Sequence, residues 1–246
     1  MDLELDGRTA IVCGASAGIG LGISESLAGE GANVAMFARR RELLEREAER
    51  LGGLAVVGDV TSADDLERLV RTTVDAYGGI DIVVNNSSGP PRTTAAKLNV
   101  EQIEAATRLL LSSVVRLTGL CLPYLERSAC GRIVNVTSSS VREPIDNLAL
   151  SNAIRPGVIG WAKSLARELG PTGITVNSIA PGRIDTDRIR DVYPDGPTEA
   201  DLATIPLRRL GTTQEIGDVV AFLCSQRAAY ISGAVILVDG GLTRGL

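Results

Sequence analysis

The chain contains no histidine. Any proton transfer must therefore fall to tyrosine, lysine, a carboxyl group, a polarised hydroxyl or water, and histidine metal sites are excluded. Residues 9–28, TAIVCGASAGIGLGISESLA, have the types and spacing for a phosphate site. A buried apolar run turns through Gly14, Ala15, Ser16 and Ala17, and a helix begins at about Gly18. Gly14, Gly18 and Gly20 read G-x-x-x-G-x-G. The first permits a sharp turn, and the other two keep Cβ atoms away from an approaching ligand. Free N–H groups and the positive end of the helix then face one point, a ready site for pyrophosphate, with Ser16 and Ile19 beside it. An ordinary tight strand–helix turn is the alternative reading of the same residues.

The elements that must position this loop follow from composition and rhythm. With 44% apolar and only 3% aromatic residues, the core must be built from Ala, Val, Ile and Leu, which suits a parallel sheet between helices. Strand-like runs at 34–37, 54–57, 82–84, 132–136, 174–179 and 235–238 alternate with helical patterns at 41–51, 63–77, 101 to about 127, and one ending near 169. Seven short strands separated by helices imply right-handed crossovers and an α/β fold: a single-domain, doubly wound, Rossmann-type parallel sheet over residues 1–246, with helices on both faces. The rhythm breaks at 185–205, where two prolines, one glycine and six acidic residues predict a long irregular flap over the substrate, with a plain surface excursion as the alternative reading.

The totals also bound the partners. Net charge is −5 and no basic cluster of five or more occurs, which argues against nucleic acid. Cys13, Cys121, Cys130 and Cys224 are scattered without a C-x-x-C pair, so reduced thiols and no metal cluster are expected. The acidic start MDLELDGR lacks an apolar leader, and no run approaches eighteen apolar residues. The expectation is a cytoplasmic protein without a membrane segment.

In a sheet of this kind ligands bind beyond the carboxyl ends of the strands, at the switch point. The polar residues at those ends should converge: the glycine loop, Arg39 and Arg40, Asp59, residues 85–89, Thr137 to Ser140, and Pro181 with Gly182. Asp59, in VVGDVT, is placed to accept from an adenine amino group, or alternatively to cap the next helix.

These motifs, in this order, resemble the short-chain dehydrogenase/reductase family, its ketoacyl-reductase-like members in particular. The segments are CGASAGIG, GDVT, NNSSG, GRIVNVTSSS, WAKSLARELGPTGITVNSIAPG and YISGAVILVDGG. The resemblance spans essentially the whole chain and implies a nicotinamide cofactor contacted also by Val60, Asn86, Pro181, Gly182 and Ile184. It implies a homotetramer as well. An acidic residue ending the second strand would favour NAD, but here the strand ends FARRR. Arg39 or Arg40 can bind a 2′-phosphate, so NADP(H) is favoured over NAD(H). A solvated charge run at a helix start is the plainer reading of those arginines.

The same resemblance exposes departures. The family carries Tyr-x-x-x-Lys, the tyrosine protonating a carbonyl oxygen and the lysine holding ribose hydroxyls and lowering the tyrosine pKa. Here the two positions fall on Ser151 and Arg155. The family's catalytic serine, thirteen residues before the tyrosine position, falls on Ser138 and is retained; its helix asparagine falls on Leu110 and is lost. A serine hydroxyl is several pK units too weak an acid to replace the phenol, each unit being about 1.4 kcal/mol. Arg155 keeps a positive charge, able to reach the cofactor ribose, but will not readily shuttle a proton. Pro156 predicts that the helix starts late or kinks at Arg155.

Three rescues are open. Ser138, Ser151 and Arg155 polarise the carbonyl while water delivers the proton; Tyr193 swings in from the flap; or Glu143 or Asp146 serves as the acid. The sequence thus predicts an NADP(H)-dependent oxidoreductase moving hydride between nicotinamide and a ketone or secondary alcohol, of 3-oxoacyl type among the options. The acidic flap weighs against an acidic carrier protein. The alternative is an impaired nucleotide-binding sensor or scaffold of the same fold.

Overall fold

Strict alternation along the strands divides the core into two layers. The computed structural model describes residues 2–190, 193 and 195–245 of the 246. Its seven strands are β1 (Thr9–Cys13), β2 (Asn33–Ala38), β3 (Leu54–Val57), β4 (Ile82–Asn85), β5 (Arg132–Val136), β6 (Thr175–Pro181) and β7 (Val235–Val238). All pair in parallel in the order β3-β2-β1-β4-β5-β6-β7, so the strand order reverses between β1 and β4. This is the expected doubly wound sheet.

On one face Ala10, Val12, Met36, Val84 and Ile179 pack against α1 (Gly18–Gly29), α2 (Arg41–Leu51) and α9 (Thr213–Cys224). On the other, Ile11, Cys13, Phe37, Val83 and Ile133 meet α3 (Ala63–Tyr77), α5 (Ser113–Leu125) and α6 (Ala149–Leu169). All four cysteines are free and buried, as packing residues. The remaining helices are α4 (Val100–Thr107), α7 (Asp187–Arg190) and α8 (Glu199–Ala203).

Helix α9 escaped the periodicity reading, and it is central. It crosses α1 where Gly22 faces Gly217: a Cβ on Gly217 would stand 2.4 Å from the Gly22 carbonyl oxygen and 2.2 Å from Ser26 Oγ. Around this contact Gln214 Nε2 donates to Ser26 Oγ at 3.0 Å, and Ser26 Oγ donates to Asp218 Oδ1 at 3.2 Å. The helix that points at the ligand is thereby clamped from behind.

At the start of α9, Thr212 Oγ1 accepts from the Glu215 N–H at 3.1 Å and Glu215 Oε2 from the Thr212 N–H at 2.8 Å, a reciprocal cap. Arg209 grips the same carboxylate at 2.6 and 2.9 Å and, with the Thr212 N–H, holds it down at about 2, against an ordinary 4.5. A folded value below the unfolded one stabilises fully above about pH 4.5, and that contribution is lost as pH falls through about 2. Glu215→Gln is expected to lower unfolding free energy by about 1 kcal/mol near neutral pH. In denaturant titrations at descending pH the gap to the parent should close near the low end of that window.

Three expectations need correction. The 101–127 pattern is helical from Val100 to Leu125, but Arg108–Ser112 winds with π geometry, separating α4 from α5. Helix α6 does not start late: it begins at Ala149 and runs through Pro156. Proline removes a single bond, to the Asn152 carbonyl. The first turn is held independently, because Asn152 Oδ1 accepts from the Ile145 N–H at 3.2 Å and Asn152 Nδ2 donates to the Ile145 carbonyl at 2.9 Å. Burial of Leu150, Ser151, Arg155, Val158 and Ala162 holds the rest. The flap at 185–205 is not wholly irregular, since α7 and α8 lie within it and Thr198 with Asp201 forms a capping box on α8.

The Val100–Leu125 stretch, with a mean hydropathy of 1.4 over its most apolar window, also has the length to cross a membrane, contrary to the reading from apolar runs. Here Ala106, Leu110, Leu117, Cys121 and Leu125 are buried in the protein itself. Of the rest, Val100, Ile103 and Val115 remain exposed.

Candidate active site

Helix α1 begins without a side-chain cap. Ala17 offers no acceptor to its first N–H groups, whereas Ser62, Asn99 and Thr212 cap α3, α4 and α9. The orphan donors of α1 are left for a ligand. Gly14 and Gly18 have φ of +64° and +59°, a conformation that disfavours any side chain. Gly20 is needed for a different reason: a Cβ there would stand 2.2 Å from the Gly14 carbonyl oxygen. Asn86, at the end of β4, ties the loop across the switch point by donating Nδ2 to the Cys13 carbonyl at 3.0 Å.

A groove of about 490 Å³ opens in front of this loop. Of the residues expected to hold a cofactor, Gly14, Ser16, Gly18, Ile19, Gly20, Arg39, Arg40, Asp59, Val60 and Asn86 line it together. Arg40 reaches back to Ser16 Oγ, donating from Nε at 3.4 Å and Nη2 at 3.3 Å. Arg39 Nη1 lies 3.7 Å from Asp59 Oδ2, with both groups exposed to solvent. Exposed pairs of this kind are worth about 0–1 kcal/mol, so either arginine can turn to a better acceptor at little cost. Asp59 is not the cap of α3, which is Ser62; it accepts instead from the Thr61 N–H and hydroxyl, both at 2.8 Å.

Pro181, Gly182 and Ile184 are not brought into the groove. Gly182 donates to the Val238 carbonyl at 3.0 Å and abuts Asp239, and Ile184 is buried beside Gly211. The end of β6 therefore packs onto the end of β7. Thr186 and Arg188 of the flap line the groove in their place. Arg188 donates to the Gly89 and Pro90 carbonyls at 3.3 and 3.4 Å, joining flap to β4 loop.

The residues at the family's catalytic positions lie at the end of β5 and the start of α6. Ser138 is half-buried at the strand end, in extended backbone, and its Oγ accepts from the Ser140 N–H at 3.2 Å. Ser151 is buried, and its hydroxyl pairs with Ser140 Oγ at 3.1 Å rather than reaching outward. Arg155 is buried too, donating Nη1 to the Val136 carbonyl at 3.0 Å. Burial first, and then the charge of Arg188, pushes its pKa down to about 10, which still leaves it a cation at neutral pH. Leu110 stands on the π-wound turn, buried against Val158 and Arg155 around a small cavity.

The other proposed acids are engaged or face solvent. Tyr193 bonds Asp201 within the flap, Glu143 accepts from the Arg244 N–H at 2.8 Å, and Asp146 is exposed. Sequence reasoning named Ser140 only as the end of the Thr137 to Ser140 stretch, and it did not name Asn135. Ser140 was visible within the TSSS run. Asn135 lies opposite Asn85 in the β4–β5 register, two asparagines facing each other across buried strands.

Comparison with known proteins agrees with this geometry. A family model described as enoyl-(acyl carrier protein) reductase matches residues 14–243. The chain belongs to the short-chain dehydrogenase/reductase family. Among curated family members, the 3-oxoacyl-[acyl-carrier-protein] reductase FabG of Vibrio cholerae is 37% identical over 244 residues, covering 98% of this chain and 99% of its own. Solved short-chain dehydrogenase/reductase structures superimpose closely. L-sorbose reductase of Gluconobacter frateurii, in complex with NADPH and L-sorbose, has a TM-score of 0.94 at 28% identity over 100% of both chains. YwfH, an NADPH-dependent reductase involved in bacilysin biosynthesis, gives 0.93 at 26%, covering 97% of this chain and 99% of its own. By family the chain is an oxidoreductase.

Proposed function

We propose that the chain is an NADP(H)-dependent reductase of a ketone, or the dehydrogenase of the corresponding secondary alcohol, working with a remodelled proton path. The observation that carries this reading is the groove itself, an uncapped helix start walled by Arg39 and Arg40. The uncapped N–H groups of α1 would hold the pyrophosphate, Asp59 and Val60 the adenine, and Arg39 and Arg40 a 2′-phosphate. When bound, the nicotinamide supplies or accepts hydride. Among the described residues the half-buried Ser138 hydroxyl only accepts, from the Ser140 N–H, so its own proton is available to the carbonyl oxygen. Water can deliver the proton to that oxygen as the carbon takes hydride, and Arg155 favours the negative charge that builds there.

The relatives act on a 3-oxoacyl group or a ketose, so the panel of substrates should include both. Steady-state NADPH oxidation is expected for at least one ketone, and Ser138→Ala should lower kcat by roughly 10²-fold with little change in KM. Cofactor binding without any Ser138-dependent turnover would support the second reading, a nucleotide-binding sensor or scaffold, which the inward-facing Ser151 favours. Restoring the family pair with Ser151→Tyr and Arg155→Lys is expected to leave turnover at or below the parent. Ser151 is 4% exposed, so a phenol there must displace neighbours at a cost of about 1–3 kcal/mol. A rise in turnover would instead mean that the present residues have lost a chemistry the scaffold still supports.

We further propose a cytoplasmic homotetramer. The exposed apolar residues Val100, Ile103 and Val115 on the α4–α5 stretch suit burial against a second copy, and light scattering after size exclusion reads the mass directly.

A further inference from the structure

Among the described residues, two buried donors at the heart of the site lack acceptors: Arg155 Nε and Asn135 Nδ2. Their residues line one cavity of about 20 Å³, with Leu110, Ser113 and Val158 among its other walls. The orientation of Asn135 follows from its neighbour. Asn85 Nδ2 donates both to Thr118 Oγ1 at 3.0 Å and to Asn135 Oδ1 at 2.9 Å, so the amino group of Asn135 must face away from Asn85. The nearby hydroxyls of Ser113 and Thr137 donate to the Leu109 and Ile179 carbonyls, so they do not compete with the two orphans for a guest.

Charge points the same way. No carboxylate pairs with Arg155 among the described residues, and the charge that acts on it is another cation, Arg188. A buried guanidinium without a counter-charge is strongly penalised.

We propose that this cavity is a binding site for one monatomic anion of halide size, chloride under ordinary conditions, held between Arg155 Nε and Asn135 Nδ2. A water molecule would fill the space and accept both bonds but would leave the cation uncompensated. A cavity of about 20 Å³ exceeds the ~10–15 Å³ that one water requires and suits a single small guest. Leu110 and Val158 make part of its wall apolar, which suits a monatomic ion over a polyatomic oxyanion that needs donors on every side. The site shares Arg155 with the reaction proposed above, so its tests read anion binding and stability rather than turnover.

Two measurements test it. Crystals grown in sodium bromide should show an anomalous bromide peak within hydrogen-bond reach of both nitrogens. The thermal midpoint should rise saturably with chloride or bromide, by roughly 3–6 °C at tenfold over the dissociation constant, relative to gluconate at equal ionic strength. Arg155→Met should abolish both signals. Asn135→Asp keeps the side-chain shape, sets a carboxylate beside Arg155, and should remove the halide dependence while raising the midpoint in gluconate. Water in place of bromide, equal midpoints in chloride and gluconate, or a halide effect that survives in Asn135→Asp would each overturn the proposal.

Discussion

Alanine at both Arg39 and Arg40 is expected to weaken NADPH binding roughly 10- to 100-fold while leaving NADH binding within about twofold of the parent. The two guanidiniums stand where β2 ends, on the groove wall, and their present partners are weak. Arg40 meets Ser16 at 3.3–3.4 Å, and Arg39 meets Asp59 at 3.7 Å in solvent. A 2′-phosphate offers a stronger acceptor, at about 1.5–3 kcal/mol for a charged hydrogen bond, and NADH lacks it. Fluorescence titration with the two cofactors reads the difference. An equal loss for both would mean that the arginines serve the loop rather than the phosphate. Loss of neither would assign them to the solvated start of α2.

Gly217→Ala is expected to lower the thermal midpoint by roughly 4–8 °C, a net loss of about 2 kcal/mol. The added methyl would sit 2.4 Å from a backbone oxygen of α1, so the two helices must separate, at about 3 kcal/mol, against a helix-propensity gain of up to about 1 kcal/mol. Calorimetry measures this directly. Because α1 carries the loop, the variant should also bind NADPH more weakly than its midpoint alone accounts for. Gly29→Ala, at the far end of α1 with open space around it, is the control and should be neutral or stabilising.

How far the sequence could be read depended on whether a signal was local. The strands were legible because each is a short apolar run, and the glycine loop because its demands on φ and on close approach act within a few residues. Helix α9 was not singled out because its apolar residues are interleaved with Gly217, whose role appears only when α1 is placed against it. The start of α6 was misjudged because a proline's local preference was weighed without the Asn152–Ile145 clasp and the burial that override it. At the site, the strand ends converged as expected from β1 through β4. The end of β6 did not, since Gly182 and Ile184 are claimed by β7 and Gly211. The inward pairing of Ser151 with Ser140 lay beyond any spacing argument, because a hydroxyl's direction depends on what its neighbours leave open.

The π-wound turn at Arg108–Ser112 has a consequence for how this scaffold can change. One surplus residue in a helix rotates everything after it by ~100° about the axis. The turn therefore works as a phase adjuster between two halves of one rod. Val100 and Ile103 lie on the near half, while Ser113 and Leu117 on the far half face the site. Substitutions on the near half can drift under whatever selection acts on its exposed side without rotating the wall of the reaction chamber. Deleting a single residue from the turn would bring the halves back into step and turn that wall away, even though no residue of the chamber had changed.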